Sequence, residues 1–172
     1  MSRVQIRRLS PADAADFRSI RLAALRGAPD AFGSTYEAEV LRPLDDFAQY
    51  LASSVVFGAY VDGLIIGMTG YKRQQGARDD HKAFVWGAYV QPGLRRQGVA
   101  AALLEAVLQH AGGLVEQLTL MVVQDNAPAL TLYRKLGFEV YGIEPRALKS
   151  AAGYVNEVLM VRFFNATTTA GG

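Results

Sequence analysis

The sequence predicts a mixed α/β protein with a mostly antiparallel sheet and one helical crossover near its middle. Three observations predict this class. The run Ala83–Val90 is almost entirely apolar, which is typical of a strand buried at the centre of a sheet. A glycine-containing loop and a helix-length segment follow it directly. Around this unit the elements read in the order β-α-α-β-β-β-α-β-α-β-β.

The N-terminal third is expected to supply one strand and two helices. Val4 and Ile6 predict the strand, and Ser10-Pro11 predicts a helix over about residues 11–26, because serine caps helices and proline fits their first turn. The segment GAPDAFGSTYEAEV breaks the helical pattern and is expected to be a loop. Pro43 opens a second helix that ends near Ala52.

Turn residues separate the remaining elements. Asp62-Gly63 lies between two β-rich runs and is a strong hairpin signal. Gly112-Gly113 ends a helix, and Asn126 caps a later one. The predicted elements are strands over 55–61, 64–74, 83–90 and 118–123, helices over 97–111 and 126–137, and a final strand pair over 138–143 and 154–164.

Composition excludes several classes of site. The 172 residues include no cysteine, which excludes disulfides, thiolate metal sites and cysteine nucleophiles. The two histidines, His81 and His110, are far apart, so we expect no metal site. A net charge of +2 gives no reason to expect a nucleic-acid partner. No apolar run reaches about 18 residues, so we expect no membrane partner and a cytoplasmic location.

The loop QPGLRRQGVA, residues 91–100, is predicted to bind a phosphate group. Gly98 and Ala100 leave room for a ligand to approach the backbone. Residues 97–100 would present the unpaired amides of a first helical turn, where the helix dipole favours an anion. Arg95 and Arg96 add mobile positive charge. The alternative is a surface turn with solvated arginines, since RxxGxA is a weak pattern and is neither a Walker A loop nor a dinucleotide fingerprint.

A second motif, NAPALTLYRKLGF, spans Asn126–Phe138. Ala129, Leu132, Tyr133 and Leu136 share one helical stripe. Taken alone, the motif is better explained as an ordinary amphipathic helix, with Asn126 as its cap and Tyr133 as a core aromatic.

Together the two motifs resemble the GNAT superfamily of N-acetyltransferases. The acetyl-CoA loop of that family, [RQ]xxGx[GA], is matched by Arg95, Gly98 and Ala100, after a strand whose V-x-P ending is matched by Val90 and Pro92. The later family motif, N-x-x-A-x-x-L-Y-x-K-x-G-F, is matched throughout residues 126–138. The detailed resemblance covers about residues 84–140, and the element order outside this region agrees.

The resemblance implies a fold and a co-substrate. The fold is a mostly antiparallel seven-stranded sheet with a V-shaped split between two central parallel strands, flanked by about four helices. It implies one N-acetyltransferase domain over residues 1–165, and the tail 166–172 is expected to be disordered. Acetyl-CoA is expected to contact the strand end, the loop and the second motif, through Ala88, Tyr89, Val90, Arg95, Arg96, Gln97, Gly98, Val99, Ala100, Asn126 and Tyr133.

The resemblance also implies direct attack of an amine on the thioester, without a covalent enzyme intermediate, which agrees with the lack of cysteine. Tyr133 is the expected general acid for the thiolate leaving group. Backbone amides near Ala88–Val90 are expected to stabilise the oxyanion.

The general base is not identified by the resemblance. Many relatives carry a glutamate on the strand before the loop, but KAFVWGAYV contains no acid. Glu157, Glu37 and Glu39 are candidates, a water chain is another, and each carboxylate can equally be solvated or structural.

The resemblance also implies that the acceptor pocket forms from the loop between the first two helices and from the last strands. An acid-biased aromatic pocket there would suit a cationic amine, although the acids of residues 30–46 can equally serve solubility. Its candidate residues are Phe32, Ser34, Tyr36, Glu37, Trp86, Tyr154 and Glu157.

Two classes of function remain open at this point. One is acetyl transfer to the primary amine of a small molecule or peptide, with a longer acyl chain as a variant. The other is a non-catalytic module that binds or senses acyl-CoA on the same fold. The apolar last strands can form a homodimer interface or ordinary core and edge.

Overall fold

A computed structural model describes residues 2–165 of the chain. Within them, one sheet contains seven strands: β1 (Gln5–Arg8), β2 (Val55–Val61), β3 (Leu64–Arg73), β4 (Lys82–Val90), β5 (Gln117–Val123), β6 (Glu139–Ser150) and β7 (Gly153–Phe163). The spatial order is β1-β2-β3-β4-β5-β7-β6, and β4–β5 is the parallel pair among antiparallel neighbours. The predicted fold class, strand number and parallel pair are confirmed.

The helices cover both faces of this sheet. They are α1 (Ala14–Gly27), α2 (Tyr36–Glu39), α3 (Leu44–Ser53), α4 (Val99–Ala111) and α5 (Ala127–Lys135). No helix within residues 2–165 has the length and apolarity needed to cross a bilayer. The tail predicted over 166–172 lies outside the described residues.

The structure corrects three predicted boundaries. The expected loop after α1 contains the one-turn helix α2, because the Thr35 side chain caps it by accepting a hydrogen bond from the Ala38 amide at 3.2 Å. Helix α4 begins at Val99 rather than Gln97, because Arg96 and Gly98 have φ angles of +64° and +77° that no α-helix accommodates. Strand β6 continues past Ile143 to Ser150.

The extension of β6 follows from an irregularity in its pairing with β7. The register shifts between Glu144 and Leu148, in the segment that contains Pro145 and Arg146. Pro145 cannot donate to the ladder, so the sequence at this point resembles the end of a strand. In the structure, Arg146 takes up the irregularity with a φ of +52°. Pairing resumes at Leu148↔Val155.

Two hydrophobic clusters lie on opposite sides of the sheet. On the α4 face, α4 and α5 pack over the central strands, with Leu103, Leu118 and Met160 fully buried. On the α1 face, α1 and α3 pack over the N-terminal strands. Strand β4 contributes to both, since Val85 and Val90 belong to the first cluster and Tyr89 to the second.

Strands β4 and β5 diverge soon after they begin. They pair at three positions in the described chain, Lys82↔Gln117, Ala83↔Leu118 and Phe84↔Thr119. Beyond these positions β4 remains paired with β3, and β5 remains paired with β7. The result is a V-shaped split at the carboxyl ends of the two parallel strands, as expected.

Candidate active site

The loop between β4 and α4 has an open, electropositive backbone. Gly98 precedes α4 in a left-handed conformation, and a Cβ built on it would meet no atom within 4 Å. The helix's first intrahelical bond runs from the Ala102 amide to the Gly98 carbonyl, at 3.0 Å. The amides of residues 99–101 therefore have no partner within the helix. Free amides at a helix N-terminus, after alternating left-handed residues, suit an anion.

The two arginines of this loop behave differently. Arg95 donates from Nε to the Val90 carbonyl at 2.9 Å, and its guanidinium carbon lies 5.7 Å from the centroid of the Tyr89 ring. Arg95 is therefore held against the end of β4, not mobile as the sequence led us to expect. Arg96 is exposed. Cofactor contact by either residue stays a prediction.

The two sequence motifs border one cavity of about 260 Å³. Its lining comes from the end of β4, the loop, the first turn of α4, and Pro128 and Leu132 of α5. At the start of α5, the Asn126 side chain accepts a hydrogen bond from the Ala129 amide at 3.3 Å. Asn126 thus acts as the expected cap, and its contact with a cofactor stays a prediction.

Tyr133 follows the cavity-lining Leu132 on α5 and is buried, with 7% of its surface exposed. Its ring meets Phe138 edge-on, at a centroid distance of 5.9 Å. Burial raises the pKa of the Tyr133 phenol above its ordinary value of 10.0, and a hydrogen bond from the Ala88 backbone acts in the opposite direction. Tyr133 is therefore a protonated phenol at neutral pH, facing the backbone of β4.

Strand β4 contains a bulge at this position. Met68 pairs with Tyr89 and Gly70 with Trp86, so β4 has one more residue than β3 between these pairs. A bulge bends a strand and leaves backbone groups outside the ladder. Gly70 adds to the local shape, because a Cβ there would lie 2.7 Å from the Trp86 ring. The indole thus lies directly against β3.

A second cavity, of about 160 Å³, lies on the α1 face beside Trp86. Its lining is half aromatic and half charged. The aromatic residues are Phe17, Phe47, Tyr50 and Trp86. The charged residues are Arg21, Glu39, Arg42 and Asp46.

An ion pair closes one side of this second cavity. Arg21 donates to both carboxylate oxygens of Glu39, at 2.8 and 3.0 Å. Burial acts to raise the pKa of Glu39, but the hydrogen bonds from Arg21 and Ser34 outweigh it, and the pKa lies below the ordinary value. Glu39 is therefore an ionised structural partner, poorly suited to accept a proton.

Three of the predicted acceptor residues share this face of the sheet. Trp86 lines the cavity, and Phe32 lies below Arg21, whose guanidinium carbon is 5.5 Å from the Phe32 centroid. Glu157 pairs in register with Val123 at the end of β5. Because Val158 and Met160 face α4, the alternation along β7 points Glu157 to the opposite face, on the α1 side. Burial and the nearby Glu144 raise the pKa of Glu157.

The other predicted acceptor residues lie elsewhere. Tyr36 stacks against Arg26, with 4.2 Å between the guanidinium carbon and the ring centroid, and borders a different depression. Glu37 is exposed. Tyr154 is 54% exposed and contacts Arg146 and Lys149 at the tip of the β6–β7 hairpin. The expected acid bias is also absent, because the cavity lining has two arginines and two carboxylates.

Sequence reasoning missed most of the lining of this cavity. Phe17 and Arg21 are four residues apart on α1, and Phe47 and Tyr50 are three apart on α3, so each pair lies on one helical face. This spacing could have predicted that each pair shares a helical face. It could not have predicted that the two helices pack against Trp86.

No group of three or more metal-ligating side chains is present in the described part of the chain.

Comparison with known proteins agrees with this architecture. The sequence pattern of the acetyltransferase (GNAT) family matches residues 20–138. The L-amino acid N-acetyltransferase of Escherichia coli is 32% identical over 106 residues, which cover 60% of this chain and 65% of that protein. The mycothiol acetyltransferase of Brachybacterium faecium is 36% identical over 83 residues, 47% of this chain and 25% of that protein. The matched segments thus span under two thirds of either relative.

Solved structures give the same fold. An acetyltransferase from Salmonella typhimurium, solved with its cofactor acetyl-CoA, superposes with a TM-score of 0.83 at 16% identity over 99% of both chains. With the family pattern covering more than half of its residues, this chain belongs to the GNAT acetyltransferase family.

Proposed function

We propose that this chain transfers the acetyl group of acetyl-CoA to a primary amine, with Tyr133 as the general acid. The observation that carries the proposal is the position of the Tyr133 phenol, which is buried and faces the Ala88 backbone on β4. Membership of the family supports acetyl transfer as the class of reaction, and the acceptor and the role of Tyr133 are part of the proposal. The relative from Escherichia coli is named as acting on L-amino acids, which supports a small amine as the acceptor, with a peptide amine as the alternative.

The residues present fit acetyl-CoA. A diphosphate needs convergent amides without an obstructing side chain, and the open space before Gly98 with the free amides of residues 99–101 meets that need. In the proposal, Arg96–Ala100 hold the diphosphate, while the ends of β4 and α5 contact the acyl-bearing arm through Ala88, Tyr89, Val90, Asn126 and Tyr133. Bound acetyl-CoA supplies an activated acyl group on a thiolate leaving group.

Each proton in the reaction has a proposed donor or acceptor. The neutral amine nitrogen forms a bond to the thioester carbon, and the carbon–sulfur bond breaks. The nitrogen then loses its second proton, which replaces, through solvent, the proton that Tyr133 gives up. Tyr133 gives its proton or a hydrogen bond to the sulfur, because its phenol stays protonated at neutral pH and the leaving thiolate belongs to a thiol with a pKa of about 8.5. Backbone amides at the β4 bulge stabilise the oxyanion.

Glu157 is the proposed acceptor of the ammonium proton. Its carboxylate is half-buried near the end of β5, and burial and Glu144 raise its pKa. A raised pKa makes a carboxylate a stronger base at neutral pH. Glu39 is excluded from this role by its ion pair with Arg21.

The test combines binding with turnover. Titration calorimetry with acetyl-CoA should give a one-to-one complex, and a thiol reagent should detect free CoA when a panel of primary amines is added. Acetyl-CoA binding without thiol release from any amine would instead support the acyl-CoA-sensing module. Absence of binding would contradict both functions.

A homodimer through the last strands is a further part of the proposal. Strand β6 is at the edge of the sheet and exposes Val140, Tyr141 and Ile143. Sedimentation equilibrium tests it, and a monomer at high concentration would contradict it.

A further inference from the structure

We infer that the cavity beside Trp86 binds an amine that also carries a carboxylate and an apolar side chain about the size of a ring, that is, a free α-amino acid with a large apolar side chain. The inference rests on the proposed function, because it names the acceptor of that reaction.

The aromatic wall of the cavity selects an apolar side chain. Phe17 stacks on Tyr50 with ring centroids 5.7 Å apart, and Tyr50 meets Trp86 edge-on at the same distance. Phe47 packs edge-on against Phe17 at 5.9 Å. The volume of about 160 Å³ is close to that of the roughly 150 Å³ apolar cavity that accommodates benzene.

Arg42 is the cation that remains available to a ligand. Arg21 uses two of its nitrogens on Glu39 and is therefore committed. Arg42 is exposed at the rim, and within residues 2–165 its guanidinium makes no salt bridge or side-chain hydrogen bond. Its backbone amide donates to the Glu39 carbonyl at 3.1 Å, which fixes the residue beside the ion pair. A guanidinium in this position matches a carboxylate in a bidentate geometry.

The balance of charge argues against a polycation. Two arginines and two carboxylates line the cavity, so its formal charge is zero. A zwitterion leaves that balance unchanged, whereas a polyamine would need an excess of carboxylates. Asp46, on α3, is the rim carboxylate that can attract the ammonium of an arriving amino acid.

A buried donor beside the cavity also lacks a well-formed hydrogen bond. The indole nitrogen of Trp86 lies near the Tyr50 hydroxyl but makes no hydrogen bond of good geometry among the described residues. Buried polar groups are normally satisfied, so an acceptor atom from a ligand is one way to complete this site.

The position of Trp86 connects this cavity with the reaction. Trp86 directly precedes the β4 bulge, whose Ala88 backbone faces the Tyr133 phenol on the other side of the sheet. An amino acid with its carboxylate at Arg42 can therefore direct its amine toward the bulge. The products are the N-acetylated amino acid and free CoA thiol, with one C–N bond formed and one C–S bond broken.

The test compares acceptors that differ in one group. L-phenylalanine and phenethylamine have the same ring and amine, and the second lacks the carboxylate. With acetyl-CoA saturating, kcat/KM from thiol release should be at least about tenfold higher for L-phenylalanine. Spermidine and an alanine-initiated tripeptide serve as polycation and peptide alternatives.

Matched arginine variants test the role of Arg42. Arg42→Gln should lower kcat/KM for L-phenylalanine by about 10- to 100-fold, the size of a lost charge-assisted hydrogen bond, and should abolish the preference over phenethylamine. Arg26→Gln removes an arginine that stacks on Tyr36 outside the cavity and should change neither value. Melting temperatures equal to that of the unmodified protein would show that both variants fold.

The outcomes separate the inference from the proposed function. Equal or faster acetylation of phenethylamine, spermidine or the peptide would overturn the inference and leave acetyl transfer standing. Full L-phenylalanine activity in Arg42→Gln would overturn the assignment of the carboxylate site. Binding of acetyl-CoA without acetylation of any amine would overturn the proposed function, and the inference with it.

Discussion

The two faces of the sheet contribute to the site by different means. On the α4 face the important groups are backbone amides, shaped by two left-handed residues and a bulge within one short stretch of chain. On the α1 face they are side chains from α1, the α2 region, α3 and β4, which tertiary packing brings together. The comparison shows that one half of the site is local in sequence and the other half is assembled.

The largest expected effect comes from the backbone half. Gly98→Asp should weaken acetyl-CoA binding by at least about 100-fold, because a carboxylate replaces open space at the diphosphate site and repels the ligand. Titration calorimetry measures the change. Gly113→Asp introduces the same charge beyond the other end of α4, where a Cβ also meets open space, and should bind normally. Normal binding by Gly98→Asp would contradict the proposed cradle.

Tyr133→Phe should separate binding from chemistry on the same face. The substitution removes only the hydroxyl, so acetyl-CoA affinity should be unchanged while kcat falls at least tenfold, and by about 100-fold if general-acid help is typical. Thiol release at saturating acetyl-CoA measures kcat. An unchanged kcat would remove Tyr133 from the mechanism.

Substitutions in the assembled half, on the α1 face, should lower the stability of the fold as well as activity. Glu39→Gln should lower the free energy of unfolding by about 2 kcal/mol, because it leaves the half-buried Arg21 without its carboxylate. Since the folded-state pKa of Glu39 lies below its ordinary value of 4.5, the stabilisation is fully present above that pH. It is lost as the pH falls through the lowered pKa.

Urea unfolding at neutral and acidic pH tests this dependence. The difference between the unmodified protein and Glu39→Gln should shrink on acidification. Glu37→Gln changes an exposed carboxylate two residues earlier and should alter stability by less than about 0.5 kcal/mol. Equal effects from the two substitutions would show that the ion pair is not important for the fold.

Glu157→Gln should have the smallest effect, a fall in kcat of about tenfold, because water can replace a base in part. A base acts when deprotonated, so activity should fall below the raised pKa of Glu157 in the unmodified protein. Glu144→Gln removes the neighbouring negative charge and should move this acidic limb to lower pH. If neither substitution moved the acidic limb of the pH–activity profile, the base would be a group other than Glu157.

The sequence was sufficient to predict the backbone of the local half. The loop before α4, its glycine and the tyrosine motif all depend on residues within a few positions of each other, so their pattern predicts their geometry, and anion binding by the loop stays a prediction. The exact start of α4 was missed, because Arg96 adopts a left-handed conformation that is uncommon for a residue with a side chain.

The assembled half could be predicted only in part. Trp86 was predicted as a pocket residue from the family resemblance. Arg42 and Tyr50 were missed because their place in the cavity depends on how α2 and α3 pack on α1, which no local pattern specifies. Tyr36 was expected in the pocket, but its ring stacks against Arg26 instead, a long-range contact that no local pattern specifies.

The short pairing between β4 and β5 has a consequence for motion. Three register pairs join the β1–β4 part of the sheet to the β5–β7 part, whereas the adjoining β3–β4 and β5–β7 ladders have six and seven in the described chain. The two parts share one hydrophobic core under α4 and α5, so low-cost opening along this line is confined to its few backbone hydrogen bonds. Amide hydrogen exchange should therefore begin at these bonds, while the ladders on either side remain protected.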